Sequence, residues 1–552
     1  MSGFYVSNKV IDSDKVNAKC QYLRLRGSYR NERILTEPDV LHSVSMVQHE
    51  AQASQPLVLI DGTIYNAGSF DCGSSDESIL YSLYDSYGAS MLNQLNGSFS
   101  FVIYDANRHV LFGARDRLGE KPFFYSIHDD VIECSSSLKA ICSGKRYTID
   151  ENAKNMYIRF GWIYDSACIF KEVNKLQAGH YFEYNLITHE MVVTKYWDVT
   201  KQFHSNQPVL SREDTVEYLD NLLTDAIRIR MSSEYNMGMG ISSGTDSFSI
   251  YNYLRCMNYD IPLFSIVPKY TQNHYNEYPE ALEHVKAVAP TKTICVKFLD
   301  DNDTIKGIVD YSSLYDEPNS DFSCIITQLL FGHIRTHHDI SVAYSGIGAD
   351  DCLFGKPIYG RFFGRVNEYK LTSSVLESNC NNSITCCNDF GNMLDDTDMM
   401  SMQRYNLKTY LPNLLVKEDI ASQYYGIDVR SPFCDYRIVE FASSVSLPIL
   451  FHGGVYKYLL KQLILNKYKV DFMNNPKRGF APQIAEIMKI QIIHDMVLDT
   501  LTFNNMTKYF PEIPFETVEN TSSRSSLKNA QVLLNLYLYI SVMEYYESKV
   551  FQ

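Results

Sequence analysis

The sequence predicts two unlike parts. An α+β region with much antiparallel sheet is followed by an α/β region on a doubly wound parallel sheet, finished by a helical C-terminal part. Three observations carry this. Short alternating strands broken by turns fill the chain up to about Tyr196. Composition then shifts to a polar, proline-containing stretch. From Asn236 to Phe298, strand-like and helix-like segments alternate, the rhythm of a parallel sheet. At 552 residues the chain is long enough for roughly two to four domains, and 45% apolar with 21% charged residues excludes a disordered or fibrous protein.

Pro56 to Ile60 reads as a strand ended by Asp61-Gly62, and Ser75 to Tyr87 has helical spacing. Ser98-Phe-Ser-Phe-Val-Ile-Tyr104 alternates; Asp105 to Arg108 turns the chain and His109 to Gly113 returns it, a hairpin. Gln202 to Val209 reads as a linker between domains at 1–200 and 210–552. Ser211 starts a helix with Asp214 at the third helical position, a variant capping box. Val216, Leu219, Leu222, Leu223, Ala226 and Ile227 form its apolar face. Strands are expected at Asn236–Ile241, Leu263–Val267 and Thr293–Phe298, with helices at Asp246–Tyr259 and Glu277–Ala287. From about Asp395 the pattern is largely helical.

The net charge of −15 disfavours general nucleic-acid binding, since an acidic surface repels phosphates. No run of about 18 apolar residues suggests a membrane span. Met1 to Lys15 lacks a basic region followed by an apolar core, so no signal peptide is expected and a cytoplasmic location is. The densest cysteine group, Cys380, Cys386 and Cys387, has no CxxC pair and no nearby histidine; reduced thiols are the expected state.

The most informative stretch is Met237-Gly-Met-Gly-Ile-Ser-Ser-Gly-Thr-Asp-Ser247. A strand runs into a Ser/Gly turn and then a helix, so backbone N–H groups and the helix N-terminus converge on an anion. Ser242, Ser243 and Ser247 add hydroxyls. Asp246 would repel a phosphate unless a cation lies between them, which implies Mg²⁺. From this segment alone, an ordinary βα turn packed with small residues reads equally well.

The segment resembles S-G-G-x-D-S, the pyrophosphate loop of the asparagine synthetase family and other ATP pyrophosphatases, with Ser243 in place of a glycine. Further resemblances follow in the family's order. Tyr315-Asp-Glu-Pro318 with Asp321 is similar to L-D-E-P-x-x-D, and Tyr344 to Gly355 to L-S-G-E-G-A-D-E-L-F-G-G. Leu407 to Pro412, Leu415 to Ser422, Asp428 to Phe433 and Asn475 to Phe480 resemble L-x-x-Y-L-P, L-x-K-x-D-R-A-S, E-V-R-x-P-F and R-P-K-x-G-F. In the first half, Met1-Ser-Gly3, Arg26-Gly27, Gln55-Pro56, Asp61 to Asn66 and Arg115 to Tyr125 resemble M-C-G, R-G-P-D, Q-P, N-G-E-I-Y-N and R-D-x-x-G-x-K-P-L-Y-Y.

The resemblance implies an Ntn-hydrolase-like antiparallel sandwich joined to an ATP pyrophosphatase domain. It also implies a reaction: ATP activates a carboxylate as an acyl-adenylate, pyrophosphate leaves, and a nitrogen nucleophile displaces AMP. Ile241, Ser242, Ser243, Gly244, Asp246, Ser247, Val267 and Gly346 would bind ATP. Asp246 and Asp350 would hold Mg²⁺, and Lys477 would oppose charge on the α-phosphate. Two departures stand out. Ile347 replaces the Glu of G-E-G-A-D and cannot take a proton, and Asp351 replaces the next Glu. Proton removal then falls to Asp419 or Glu418, which read equally well as helix-face acids pairing with Lys417 or Arg430.

The amidotransferase half departs further. Ser2 stands for the nucleophilic cysteine, while Asp61 and Thr63 replace the Asn and Glu of N-G-E beside Gly62. An aspartate would repel the oxyanion. Leu41 to Met46 offers no arginine to clamp a glutamine carboxylate, and Asp76 remains with no partner in the motif. The expected function is therefore an ATP- and Mg²⁺-dependent amide ligase taking a small carboxylate and ammonia or an amine, without glutamine hydrolysis. β-Lactam and carbapenam synthetases are similar in lacking the cysteine, although they carry tyrosine at the position of Ile347. A glutamine-dependent asparagine synthetase and a non-catalytic nucleotide-binding homologue are the alternatives, and a homodimer stays open.

Overall fold

The computed structural model describes residues 3–9, 13–26, 31–37, 41–47, 57–199, 210–232, 234–269, 276–337, 339–356, 399–475, 484–521 and 527–552. Ser2, Gly27, Gln55-Pro56, the linker Gln202–Val209, Cys380, Cys386, Cys387 and Lys477 lie outside them.

Two antiparallel sheets build the N-terminal region. The first contains β1 (Phe4–Ser7), β2 (Asn31–Glu37), β3 (Leu41–Val47), β7 (Phe124–His128), β8 (Val131–Ser135) and β9 (Asn174–Lys175), in the order β2-β3-β1-β8-β7-β9. The second contains β4 (Val58–Ile64), β5 (Gly97–Asp105), β6 (Val110–Arg115), β10 (His180–Asn185) and β11 (Met191–Lys195), in the order β11-β10-β6-β5-β4. Phe4, Val6, Ile132 and Cys134 of the first sheet pack with Val102, Leu111, Phe182 and Tyr184 of the second in one buried cluster, so the sheets face each other as a sandwich. Helix α2 (Asp76–Tyr87) covers the other side of the second sheet through Ile79, Leu80, Leu83 and Tyr84. Helix α1 (Ser13–Leu23) packs Val16, Cys20 and Leu23 with Tyr5 and Phe124 of the first.

The predicted hairpin is β5–β6, and the predicted helix after Ser75 is α2, with the Ser75 side chain accepting from the Ser78 N–H. One boundary differs. Asp61-Gly62 does not end its strand: β4 continues to Ile64, with Gly62 opposite Phe99. Gly62 sits at φ +133°, and a Cβ there would lie 2.0 Å from Ser98 O, so only glycine lets the strand bend without stopping.

The second region opens with α3 (Arg212–Ile229). Ser211 caps it, accepting from Asp214 N at 3.1 Å and donating to Asp214 Oδ2 at 2.7 Å. Five strands follow: β12 (Met237–Gly240), β13 (Leu263–Val267), β14 (Ile294–Phe298), β15 (Val342–Tyr344) and β16 (Asp428–Arg430). Every neighbouring pair is parallel, in the order β14-β13-β12-β15-β16. The first three predicted strands are present to within two residues, the usual scatter at element ends. From β12 the chain moves outward first to β13 and β14, then on the other side to β15 and β16. Connections diverge between β12 and β15, and their carboxyl ends open a crevice there, where ligands bind in such sheets.

Helix α4 (Thr245–Cys256) follows β12, α5 (Ser323–His337) precedes β15, α6 (Ala349–Cys352) follows it, and α7 (Leu411–Tyr424) leads into β16. Helix α8 (Tyr458–Tyr468) lies against α3 and α4. Among the described residues, no helix is long and apolar enough to cross a membrane, and the cysteines are free.

The last helix, α9 (Leu527–Tyr545), returns to the first region. Tyr157 OH donates to Asn535 O at 2.7 Å, and Phe170 packs edge-on against Tyr546 just beyond the helix.

Candidate active site

A cleft of about 530 Å³ opens at the carboxyl ends of β12, β13 and β15. Ile241, Ser242, Ser243, Gly244, Asp246, Ser247, Val267, Gly346 and Asp350, scattered over more than a hundred positions, all line it.

The turn after β12 is organised from within. Ser242 N donates to Ser247 Oγ at 3.1 Å, and Gly244 N donates to Ser242 Oγ at 3.2 Å. Ser243 offers its N–H and its hydroxyl to Glu277 Oε2, both at 3.3 Å, so a carboxylate already occupies an anion-accepting position of this loop. Gly244 begins α4 with no side-chain cap among the described residues, leaving the first helical amides to a ligand or to water. Ser243, where the resemblance expects glycine, is what gives the loop its extra hydroxyl donor.

Asp246 and Asp350 reach each other through Lys457. Its Nζ lies 2.7 and 2.9 Å from the Asp246 oxygens and 2.8 Å from Asp350 Oδ1. Burial works against the ammonium, but the two carboxylates outweigh it and hold the lysine well above its ordinary value. Lys457 sits at φ +53°, rare for a side chain of this size, with its N–H held by Phe354 O at 3.2 Å. Glycines make room: a Cβ on Gly355 would lie 2.2 Å from Asp350 Oδ1, and one on Gly346 would lie 2.8 Å from Asp246 Cβ. Two hard oxygen donors around a cation-filled space, beside a phosphate-type loop, suit Mg²⁺, which takes one or two carboxylates and completes its shell with phosphate and water. Sequence reading passed over Lys457, because Val455-Tyr-Lys457 belongs to none of the quoted motifs and only α8 brings it here. Asn475, two positions before Lys477, also lines the cleft.

The other end of the cleft is formed by Ser345, Ile347, Tyr410, Leu414, Lys417 and Glu418. Ser345 Oγ donates to Glu418 Oε1 at 2.8 Å, while Glu418 Oε2 has no hydrogen-bond partner among the described residues. Glu418 is 8% exposed. Burial pushes its carboxyl up to about 7, with Asp419 adding to the rise and the Ser345 hydrogen bond and Lys417 opposing it. Neighbouring cations are neutralised: Lys417 donates to Asp321 Oδ2 at 2.8 Å and to Ser323 Oγ at 2.7 Å, and Lys356 pairs with Asp351.

Asp419, the expected base, is placed differently. It is not among the lining residues; a helical residue next to one that faces the cleft points elsewhere. Its carboxylate accepts from Arg26 Nη2 and Lys121 Nζ, both at 2.6 Å. Burial opposes its charge, yet these cations hold it below the usual carboxylate range. Glu418 is thus the acid that reaches the cleft. In the N-terminal region, Asp61 is fully buried against Arg26, whose Nε donates at 2.8 Å. Asp76 accepts from Ile64 N at 3.1 Å, and burial pushes it up to about 6 against that bond.

Comparison with known proteins follows this division. The family model described as asparagine synthase matches residues 218–537, and the glutamine amidotransferase domain model matches residues 1–197. A Methanocaldococcus jannaschii protein provisionally named glutamine-hydrolysing asparagine synthetase 2 is 26% identical over 335 residues, covering 58% of this chain and 62% of the relative. Glutamine-hydrolysing asparagine synthetase 1 of Bacillus subtilis is 23% identical over 75% of this chain and 72% of its own. Amidase chry2 of Gibberella zeae is 30% identical over 32% of this chain and 26% of its own.

Proposed function

Because the chain belongs to the asparagine synthase family, whose members are ATP-dependent carbon–nitrogen ligases, we propose that it joins a carboxylate to ammonia or an amine through an acyl-adenylate. AMP and pyrophosphate are the co-products. The observation that carries the reading is the meeting of Asp246, Asp350 and Lys457 at the mouth of the Ser242–Ser247 loop.

The loop hydroxyls and the α4 N-terminus would take the β- and γ-phosphates, with Ser243 turning from Glu277 to phosphate. Backbone of Ile241 and Ser265 to Val267 would flank adenine. Asp246 and Asp350 would hold Mg²⁺, which supplies neutralisation of the leaving pyrophosphate. Lys457 adds a fixed positive charge beside the reacting phosphates, where charge that develops during displacement is stabilised without reorganisation. Lys477, to which the resemblance gives the α-phosphate, would add a second.

Glu418 suits proton removal from the incoming amine. A carboxylate with a value of about 7 and one open oxygen can accept a proton at neutral pH, and Ser345 orients the other oxygen. Ile347 beside it leaves the acceptor pocket with an apolar wall where the family pattern has an acid.

Glutamine hydrolysis is not part of the proposed activity. Asp61 stands at the oxyanion position, and its carboxylate is committed to Arg26. Nitrogen would therefore come from free ammonia or from the amine substrate itself. Incubation with ATP, Mg²⁺ and a panel of carboxylates and amines tests the reading. AMP and pyrophosphate are expected, and ADP with phosphate would refute the adenylate.

A further inference from the structure

Six charged side chains form a continuous buried chain between the two regions. It runs from Asp61 on β4 to Arg26 in the turn after α1 (2.7 Å), then to Asp419 on α7 (2.6 Å). From Asp419 it passes to Lys121 (2.6 Å), on to Asp428 on β16 (3.5 Å), and ends at Arg430 (2.9 Å). None is more than 6% exposed. Three cations balance three carboxylates, which is what makes a buried array tolerable. Gln423, one turn beyond Asp419, joins in: with its amide nitrogen toward Arg26 O (2.6 Å), its oxygen takes Lys121 Nζ (3.1 Å).

Two members of this chain, Asp419 in its middle and Arg430 at its end, bear on one residue of the cleft. Asp419 is the immediate neighbour of Glu418. Arg430 O accepts from Ser345 N at 3.0 Å, and Ser345 is the residue whose hydroxyl holds Glu418. Arg26 and Lys121 belong to the N-terminal region, while Asp419 and Asp428, which they grip, belong to the second.

We propose that the N-terminal region is a positioning platform for the acceptor end of the cleft: Arg26 and Lys121 grip Asp419, fix the rotation of α7, and thereby hold Glu418 against Ser345. Asp61, whose charge would spoil an oxyanion pocket, is on this view the anchor of Arg26. The proposal rests on the reading of Glu418 as the acceptor-side base. It gives the retained amidotransferase-like region a task that needs no glutamine.

Among the described residues, the charged groups bearing on Glu418 are Lys417 and Asp419 on its own helix. Behind them stand Asp321, which pairs with Lys417, Arg26 and Lys121, which pair with Asp419, and Asp428 with Arg430 on β16. The test needs no substrate. The protonation of Glu418 in the full chain is followed by infrared difference spectroscopy over pH, wild type minus Glu418→Gln. In Arg26→Met, Asp419 loses a counter-ion, and the Glu418 midpoint should rise by about half a pH unit or more, with a changed carboxyl stretching frequency. Lys121→Arg, which keeps the cation, should retain the wild-type midpoint. Asp419→Asn, nearly isosteric, should lower it by a similar amount. If Arg26→Met does not fold, Asp419→Asn decides. A midpoint and frequency unchanged in the folded variants would overturn the platform. Retained turnover in Glu418→Gln would instead overturn the reading of Glu418 as base, whatever the infrared result.

Discussion

Lys457 holds a charge that two carboxylates require. Replacing it with methionine should lower AMP release on the order of 10²- to 10³-fold, the usual loss when one preorganised charge partner of a transition state is removed. Steady-state AMP release measures this, and turnover within a few-fold of wild type would place Lys457 outside the reaction. Glu418 makes a prediction with a sign. It holds its proton more tightly folded than unfolded, where the ordinary value is 4.5. Its contribution to stability is full below that value and is lost as pH rises through about 7. Glu418→Gln should therefore raise the Tm at about pH 8 and leave it nearly unchanged at about pH 4, while removing the rise of activity with pH near neutrality. Scanning calorimetry at the two pH values checks the first part. At this scale the sequence was legible where residues sit in contiguous motifs, as with Ser242 to Ser247 and Asp350. It was not legible for Lys457, which only a helix packed from a distant segment delivers. Nor could it choose between Glu418 and Asp419, because the rotation of α7 decides which of two adjacent acids meets the cleft.

At the level of elements, glycines set what can be changed. Gly355→Ala would put a methyl 2.2 Å from Asp350 Oδ1 and 2.9 Å from Lys457 Cδ, so the Asp350–Lys457 pair must open. Turnover should fall at least tenfold while the far-ultraviolet circular dichroism stays native. Gly62→Ala strikes a backbone oxygen, which cannot move without breaking the β4–β5 ladder, and should cost about 3 kcal/mol or more in denaturant unfolding. The β5–β6 hairpin, α2, α3 and the alternation from β12 to β14 were legible, since period and capping residues mark them locally. Asp61-Gly62 was misleading: the same dipeptide that ends many strands here bends one, because the Phe99 partner strand continues beyond it.

Across the whole molecule, the two regions share an apolar cluster and a buried ionic chain. Tyr157, Phe170 and Ile169 pack in one core with Phe322, Leu534 and Tyr546. Heat should therefore melt the chain in a single cooperative transition with equal calorimetric and van't Hoff enthalpies; two separated transitions would contradict the shared core. Glutamine with ATP and Mg²⁺ should yield no glutamate above background, and Ser2→Cys alone should not restore it while Asp61 stays bound to Arg26.

The pairing of Tyr157 with Asn535 spans 378 positions, and that of Tyr22 with Lys549 spans 527. A ribosome adding roughly 5–20 residues per second would need about 20–80 s to make the segment that completes the first region's surface. During that interval Phe170 and its neighbours face solvent without their partners Tyr546 and Phe551. The nascent protein is thus most exposed to aggregation and to chaperone capture through its first region, and rescue arrives only with α9 and the residues just beyond it.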